Sequence, residues 1–207
     1  MTPHLIINNL NFSYSNRLVL NEINFEFSGP GLVYIQGDNG SGKTTLLKLV
    51  AGLIKSENMI FLNGHMLDLK RQTSLALNDG PGLFPHLTVG ENLKALMALH
   101  LSPSHFDRAQ ESVAPLVNDK IHLMPRELSA GMKQSINLAK ALMRFADFYL
   151  LDEPLTGLDQ LHRDQVTHLI QTRLEAGSMV ITTGQHEPFE LKSLNFPIAK
   201  LKLERLA

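Results

Sequence analysis

The arrangement of apolar positions along the chain predicts two kinds of β-strand. Residues 23–27 alternate apolar and polar side chains, as a half-buried antiparallel strand does, and residues 5–7 form another early strand. Residues 12–17 are predicted to be the polar turn between them. Residues 32–35 and 148–151 are instead continuously apolar, which is typical of parallel strands covered on both faces. The pattern therefore predicts an N-terminal antiparallel β subdomain and a separate parallel sheet.

Between and beyond these strands, helical periodicity alternates with short apolar runs. Thr88 and Glu91 have the spacing of a capping box, which predicts a helix start. Further strands are predicted at 59–62, 74–77, 179–183 and 198–203. Helices are predicted at 45–53, 88–100, 104–115, 129–145 and 160–175. Strand–helix alternation favours an α/β fold, and the run of helices predicts an inserted α-helical subdomain at about residues 85–145.

Composition narrows the class of protein. The chain has 207 residues, of which 43% are hydrophobic and 19% charged, as expected for one soluble globular domain, here 1–207. A net charge of −1 provides no basic field for nucleic acid. The absence of cysteine excludes disulfides and thiolate metal sites and fits a reducing compartment. Since neither a signal peptide nor a membrane-spanning run is evident, we expect a cytoplasmic protein.

One stretch carries the strongest chemical signal. It reads Gly37, Asp38, Asn39, Gly40, Ser41, Gly42, Lys43, Thr44, Thr45. Glycines at this spacing let a loop turn its backbone N–H groups towards phosphates, while the lysine adds positive charge and Thr44 offers a hydroxyl to Mg²⁺. The loop lies between a predicted strand and a predicted helix, which is the setting that phosphate binding requires. We therefore predict a nucleotide triphosphate site on a P-loop NTPase core.

An acidic pair follows the apolar strand 148–151. Asp152 and Glu153 come directly after it, and the carboxyl ends of parallel strands meet at one edge of a sheet. Asp152 is therefore predicted to hold Mg²⁺, and Glu153 to act as the general base on water. The alternative for an isolated Asp-Glu pair is a solvated acidic turn, which the apolar strand and the phosphate loop make the weaker interpretation.

Two other features are ambiguous from the residues alone. Tyr14 is either a strand-edge aromatic packed on the core or a ring that stacks on adenine, and the residues by themselves favour the first. Residues 128–132 are either a plain N-capped helix start or a second anion site, and again the simpler interpretation is favoured.

Taken together, the motifs resemble those of the ATP-binding subunits of ABC transporters. The resemblance covers nearly the whole chain and is carried by residues 128–132, the signature motif, by 151–154, the second nucleotide motif, and by 157–159, the D-loop. It implies that Tyr14 stacks on adenine, and that Ser129, Gly131 and Asp159 serve an ATP held in a head-to-tail homodimer. It also implies Mg²⁺, a transmembrane permease as partner, and a position on the inner face of the cell membrane.

The chain departs from that family at two loops. Where the family has a glutamine, the nearest residue in register is Asp79, which could still ligate Mg²⁺ or water. Where it has a switch histidine, this chain has Gly184, with His186 two residues later as the candidate catalytic substitute. Met132 also replaces the commoner glutamine of the signature motif.

Within the family, short stretches such as 91–93 and 182–185 resemble the small ATP-binding subunits of haem exporters in cytochrome c biogenesis. Two alternatives stay open. One is a nucleotide-binding regulatory module with weak hydrolysis, which the two altered loops would favour. The other is a non-transport ATPase of the same superfamily acting on nucleic acid or ribosomes, which the near-zero net charge disfavours.

Overall fold

Two separate sheets organise the computed structural model, which describes residues 2–55, 59–66, 73–77, 82–98, 109–186 and 189–206. The strands of these residues are β1 His4–Tyr14, β2 Arg17–Ser28, β3 Gly31–Gln36, β4 Ile60–Leu62, β5 His65–Met66, β6 Thr73–Ala76, β7 Phe148–Leu151, β8 Met179–Gly184 and β9 Ile198–Lys202. The α-helices that lie wholly within these ranges are α1 Lys43–Val50, α2 Val89–Ala98, α3 Ala114–Val117, α4 Ala130–Met143, α5 Gln160–Glu175 and α6 Phe189–Lys192. The antiparallel and parallel sheets predicted from the pattern are thus both present.

The antiparallel sheet has the order β2-β1-β4-β5. Its first hairpin is tighter than predicted, because Tyr14 pairs with Arg17 and leaves only two residues in the turn. The predicted turn at 12–17 was therefore too long. Phe12 and Tyr14 lie on β1 and stack edge to face, with ring centroids 4.9 Å apart. These two aromatic side chains extend the strand pairing into residues that were predicted to form the turn.

The five-stranded parallel sheet has the order β6-β7-β8-β3-β9. In its register Leu151 pairs with Thr182, and Ile35 pairs with Thr183. The carboxyl ends of β7, β8 and β3 consequently lie side by side. The segments that follow these strands, including the phosphate loop and the acidic pair, are brought to one edge of the sheet.

Both faces of the parallel sheet are covered. Val33 and Ile35 of β3 belong to the core cluster that contains the buried leucines of α1. Leu32 and Tyr34 point to the opposite face and belong to the cluster built with α4 and α5. This double burial is the physical reason for the continuous apolar run in β3.

Helices α1, α2, α4 and α5 follow the predicted periodicity with differences at their ends, whereas the short helices α3 and α6 were not predicted. Thr88 and Glu91 form the predicted capping box, since the Thr88 N–H donates to Glu91 Oε2 at 2.8 Å and the Glu91 N–H donates to Thr88 Oγ1 at 3.3 Å. Helix α1 begins two residues earlier than predicted and ends at Val50, because the phosphate loop leads straight into it. The predicted helix 104–115 lies partly outside the described residues, of which 109–112 are helical. No helix in the described ranges has the length and apolar character needed to cross a membrane.

Candidate functional site

The loop between β3 and α1 has a conformation that depends on glycine. Gly40 and Gly42 adopt φ values of +83° and +94°, which L side chains rarely adopt. A Cβ on Gly42 would also lie 2.9 Å from Leu20 Cδ2. Ser41 is 1% exposed, and its Oγ has no hydrogen-bond partner among the described residues. The loop therefore carries an unsatisfied buried hydroxyl beside the start of α1, as a site for a polar ligand would.

Lys43 lies inside this loop rather than on its surface. Its side chain is 6% exposed, and its Nζ donates to the carbonyl oxygens of Gly37 at 2.8 Å and Asp38 at 3.1 Å. The same Nζ lies 3.5 Å from Glu153 Oε1. The lysine of the loop and the second acid of the pair therefore face each other across the sheet edge.

Asp152 joins the loop to the neighbouring strand. It is 2% exposed, and its two oxygens are both engaged. Oδ2 accepts a hydrogen bond from the Thr44 hydroxyl at 2.8 Å, and Oδ1 accepts one from the Thr183 hydroxyl at 2.6 Å. A carboxylate and a hydroxyl oxygen at hydrogen-bond distance are a donor pair suited to Mg²⁺.

Glu153 adopts a backbone conformation that is unusual for its type. Its φ is +44°, in the left-handed region, which costs about 1 kcal/mol or more for a residue with a Cβ. The Thr183 hydroxyl accepts a hydrogen bond from the Glu153 N–H at 2.9 Å and holds the turn in place. Thr183 therefore orients both acids, a role that the sequence reasoning missed although this polar residue ends the apolar strand predicted at 179–183.

A cavity of about 420 Å³ opens above the loop. Besides Lys43 and Glu153, its lining includes Tyr14, Arg17, Asn39, Thr44, Thr45 and Leu206. Tyr14 is 48% exposed, so its ring is available at the mouth rather than packed into the core. The ring is therefore not a buried core aromatic, whereas its stacking on adenine stays a prediction.

The segment after β8 contains His186, whose catalytic role stays a prediction. Only the backbone carbonyl of His186 is held, by the Tyr34 hydroxyl at 2.6 Å, while its exposed ring makes no hydrogen bond to the described residues. Gln185 reaches the phosphate loop instead, because its Nε2 donates to Asn39 Oδ1 at 2.9 Å. A Cβ on Gly184 would lie 2.2 Å from the Tyr34 hydroxyl, so that hydroxyl fills the space of a side chain at position 184.

Three of the predicted nucleotide-binding residues lie outside the cavity at the phosphate loop. Ser129 is the N-cap of α4 and accepts from the Met132 N–H at 3.3 Å, and Asp159 is the N-cap of α5 and accepts from the His162 N–H at 2.9 Å. The His162 N–H and ring hold the pKa of Asp159 below its ordinary value. Gly131 completes this group in a second cavity of about 430 Å³. The linings of the two cavities share no residue.

The predicted metal residues are only partly described. Thr44 and Asp152 meet, whereas Asp79 lies outside the described residues. Within the described part of the chain, no three His, Cys, Asp or Glu residues come close enough to hold a metal by themselves. Mg²⁺ fits this donor set, because it takes few protein ligands and completes its shell with water and substrate phosphates.

Comparisons with known proteins agree on one family. The family model described as ABC transporter matches residues 20–156. The cytochrome c biogenesis ATP-binding export protein CcmA of Xylella fastidiosa is 33% identical over 98% of this chain and 95% of its own. The thiamine import ATP-binding protein ThiQ of Haemophilus influenzae is also 33% identical, over 86% of this chain and 89% of its own. A solved ATP-binding subunit of an ABC transporter superposes with a TM-score of 0.77 at 26% identity, covering 86% of this chain and 78% of that chain.

Proposed function

Because the chain belongs to the ABC transporter family of ATP-binding proteins, we propose that it binds ATP with Mg²⁺ and hydrolyses it to energise a separate membrane permease. The observation that carries this proposal is the junction between the phosphate loop and the acidic pair. The Thr44 hydroxyl donates a hydrogen bond to Asp152 Oδ2 at 2.8 Å, and Lys43 Nζ lies 3.5 Å from Glu153 Oε1. Both pairs lie beside a cavity large enough for a nucleotide.

Each side chain of the junction has a distinct task. The backbone N–H groups of the loop and Lys43 bind the β- and γ-phosphates. Thr44 and Asp152 would hold Mg²⁺, which supplies charge neutralisation at the phosphates when bound. Glu153 accepts a proton from the attacking water, and its left-handed backbone directs its carboxylate to the phosphate side of the sheet edge.

The experiment is a steady-state ATPase assay on the full chain with Mg²⁺. Replacing the base in Glu153→Gln should lower kcat by about a hundredfold or more while retaining ATP binding. Glu175→Gln is the matched control, because Glu175 is an exposed carboxylate at the end of α5, bonded only to Gln171 in the described structure. Equal turnover in the two variants would refute the role of Glu153.

The separate cavity at Ser129, Gly131 and Asp159 supports a head-to-tail homodimer. None of the three residues lines the cavity at the phosphate loop of its own chain. They are therefore free to meet the nucleotide of a second copy. The N-terminus of α4, a helix of 14 residues, would add its dipole to that contact. Light scattering on Glu153→Gln should give a dimer with ATP and a monomer with ADP, and a monomer in both would refute the dimer.

Export in cytochrome c biogenesis is the transport role that we propose, with haem as the cargo. Its support is the resemblance to CcmA proteins, of which one from Legionella pneumophila is 31% identical over 86% of this chain. ThiQ, named for thiamine import, is equally similar, so a cellular test is needed. Deleting the gene should abolish c-type cytochromes on a haem-stained gel, with rescue by wild type and not by Glu153→Gln. Loss of thiamine uptake alone would refute the export role.

A regulatory module that binds ATP and hydrolyses it weakly is the second candidate. The observation that favours it is the Tyr34 hydroxyl, which fills the position of a side chain at Gly184 and leaves the exposed His186 ring without a described partner. Losing one preorganised electrostatic contact to the phosphates slows turnover by about 10²- to 10³-fold. Tight ATP binding, together with an ATPase rate that Glu153→Gln does not lower, would support this candidate and exclude the transport ATPase.

A further inference from the structure

The segment 203–206 follows the edge strand β9 and runs beside the phosphate loop. The Leu203 N–H donates to the Gln36 carbonyl at 2.7 Å, one residue before the loop begins. A Cβ on Gly37 would lie 2.7 Å from the Leu203 carbonyl oxygen, so the two backbones are in contact. Leu203 itself is 3% exposed and belongs to the core. The segment is therefore anchored against the first residue of the loop.

Beyond this anchor, two side chains extend to the open side of the site. A Cβ on Gly40 would lie 4.0 Å from Arg205 Nε, which places the guanidinium next to the loop. Leu206 lines the same cavity as Tyr14 and Lys43. Arg205 is exposed and forms no ion pair with the described residues. Its charge is thus available to a ligand.

The charges at the site explain why a further cation matters. Lys43 is buried and already faces Glu153 at 3.5 Å, and Asp152 lies on the same edge. Arg17 is the other described cation in the cavity lining, so Lys43 and Arg17 only match these two carboxylates, whereas the proposed ligand is itself an anion. A guanidinium presents several N–H donors in a plane that matches phosphate oxygens.

We propose that Arg205 binds the phosphates of the nucleotide and that Leu206 covers its nucleoside, so that the segment 203–206 forms an additional wall of the site. This inference rests on the proposed ATP site and adds a binding surface to it. It assigns a ligand-binding role to residues that lie about 160 positions away from the loop in sequence.

The chain offers a matched control in Lys202. Its side chain is 75% exposed and lies at the end of β9, 3.9 Å from Glu204. Lys202→Ala removes the same unit of charge as Arg205→Ala from the same part of the chain, but not from beside Gly40 of the phosphate loop. Any difference between the two variants therefore reports position rather than net charge.

The experiment is isothermal calorimetry of the full chain with MgATP at two ionic strengths. Arg205→Ala and Arg205→Gln should each weaken binding about two- to fivefold at ~0.15 M salt, as expected for an exposed charge contact. The loss should grow at ~0.02 M salt because screening is weaker, whereas Lys202→Ala should stay within about 1.5-fold of wild type. Leu206→Ala should cause a loss that does not change with salt.

If both Arg205 variants bind ATP as Lys202→Ala does at both ionic strengths, the role of Arg205 is overturned while the proposed ATPase stands. Wild-type affinity in Leu206→Ala would likewise overturn the role of Leu206. If wild type itself fails to bind MgATP, both the inference and the proposed function are overturned. Because Arg205 is exposed, its variants should retain the wild-type unfolding midpoint, which thermal denaturation checks.

Discussion

Thr183 connects the two halves of the candidate catalytic edge, and replacing it with valine tests that connection. The Thr183 hydroxyl donates to Asp152 Oδ1 at 2.6 Å and accepts from the Glu153 N–H at 2.9 Å. Thr183→Val keeps the branched shape of the side chain and removes both bonds. Asp152 Oδ1 and the Glu153 N–H then lose this hydrogen-bond partner. Thr183 is only 2% exposed, so the loss occurs in the protein interior.

The cost can be estimated from these two contacts. Losing a hydrogen bond to a charged group costs about 1.5–3 kcal/mol, and losing a neutral one costs about 0.5–1.5 kcal/mol. The free energy of unfolding should therefore fall by about 2–4 kcal/mol, which lowers the midpoint of a chain of this size by about 5–15 °C. Without its hydrogen bond, the left-handed turn at Glu153 is no longer fixed. A displacement of its carboxylate by about 1 Å should lower kcat about 10- to 100-fold.

The assay is thermal unfolding together with ATPase kinetics at a temperature well below the midpoint of the variant. We expect kcat to fall while the KM for ATP changes little, because the described hydrogen bonds of the Thr183 hydroxyl go to the two acids and not to the phosphate loop. Thr183→Ser retains the hydroxyl and should keep most of the activity. A kcat for Thr183→Val within twofold of that for Thr183→Ser would show that this hydroxyl does not orient the acids.

Two further predictions concern other contacts. Arg163 holds the pKa of Glu190 at about 2, so the pair stabilises the fold fully above the ordinary pKa near 4.5 and loses this contribution as pH falls towards 2. Glu190→Gln should thus cost about 1 kcal/mol at pH 7 in urea unfolding, and a cost that stays constant down to pH 3 would refute the pairing. Gly184→Ala places a Cβ 2.2 Å from the Tyr34 hydroxyl and should cost about 1–3 kcal/mol. Tyr34→Phe should relieve part of that cost in the double variant, and additive losses in thermal unfolding would contradict the clash.

The sequence determined the local chemistry of this protein. The glycine spacing of the phosphate loop, the continuous apolar runs of β3 and β7, and the capping box at Thr88 are each set by residues that are close in the chain. Periodicity and turn chemistry act over a few residues, so they can be read directly. For the same reason the α/β fold and both kinds of sheet can be predicted from the sequence.

The tertiary structure decided which distant residues meet. Parallel pairing of β8 with β7 and β3 brings Thr183 to Asp152 and Glu153, although 30 or more residues separate them. The Tyr34 hydroxyl explains why position 184 holds glycine, and it leaves Gln185 rather than His186 in contact with the loop. Such contacts depend on strand order and register, which no local pattern encodes. The phosphate loop could therefore be found in the sequence, whereas the side chains that orient the acids required the assembled sheet.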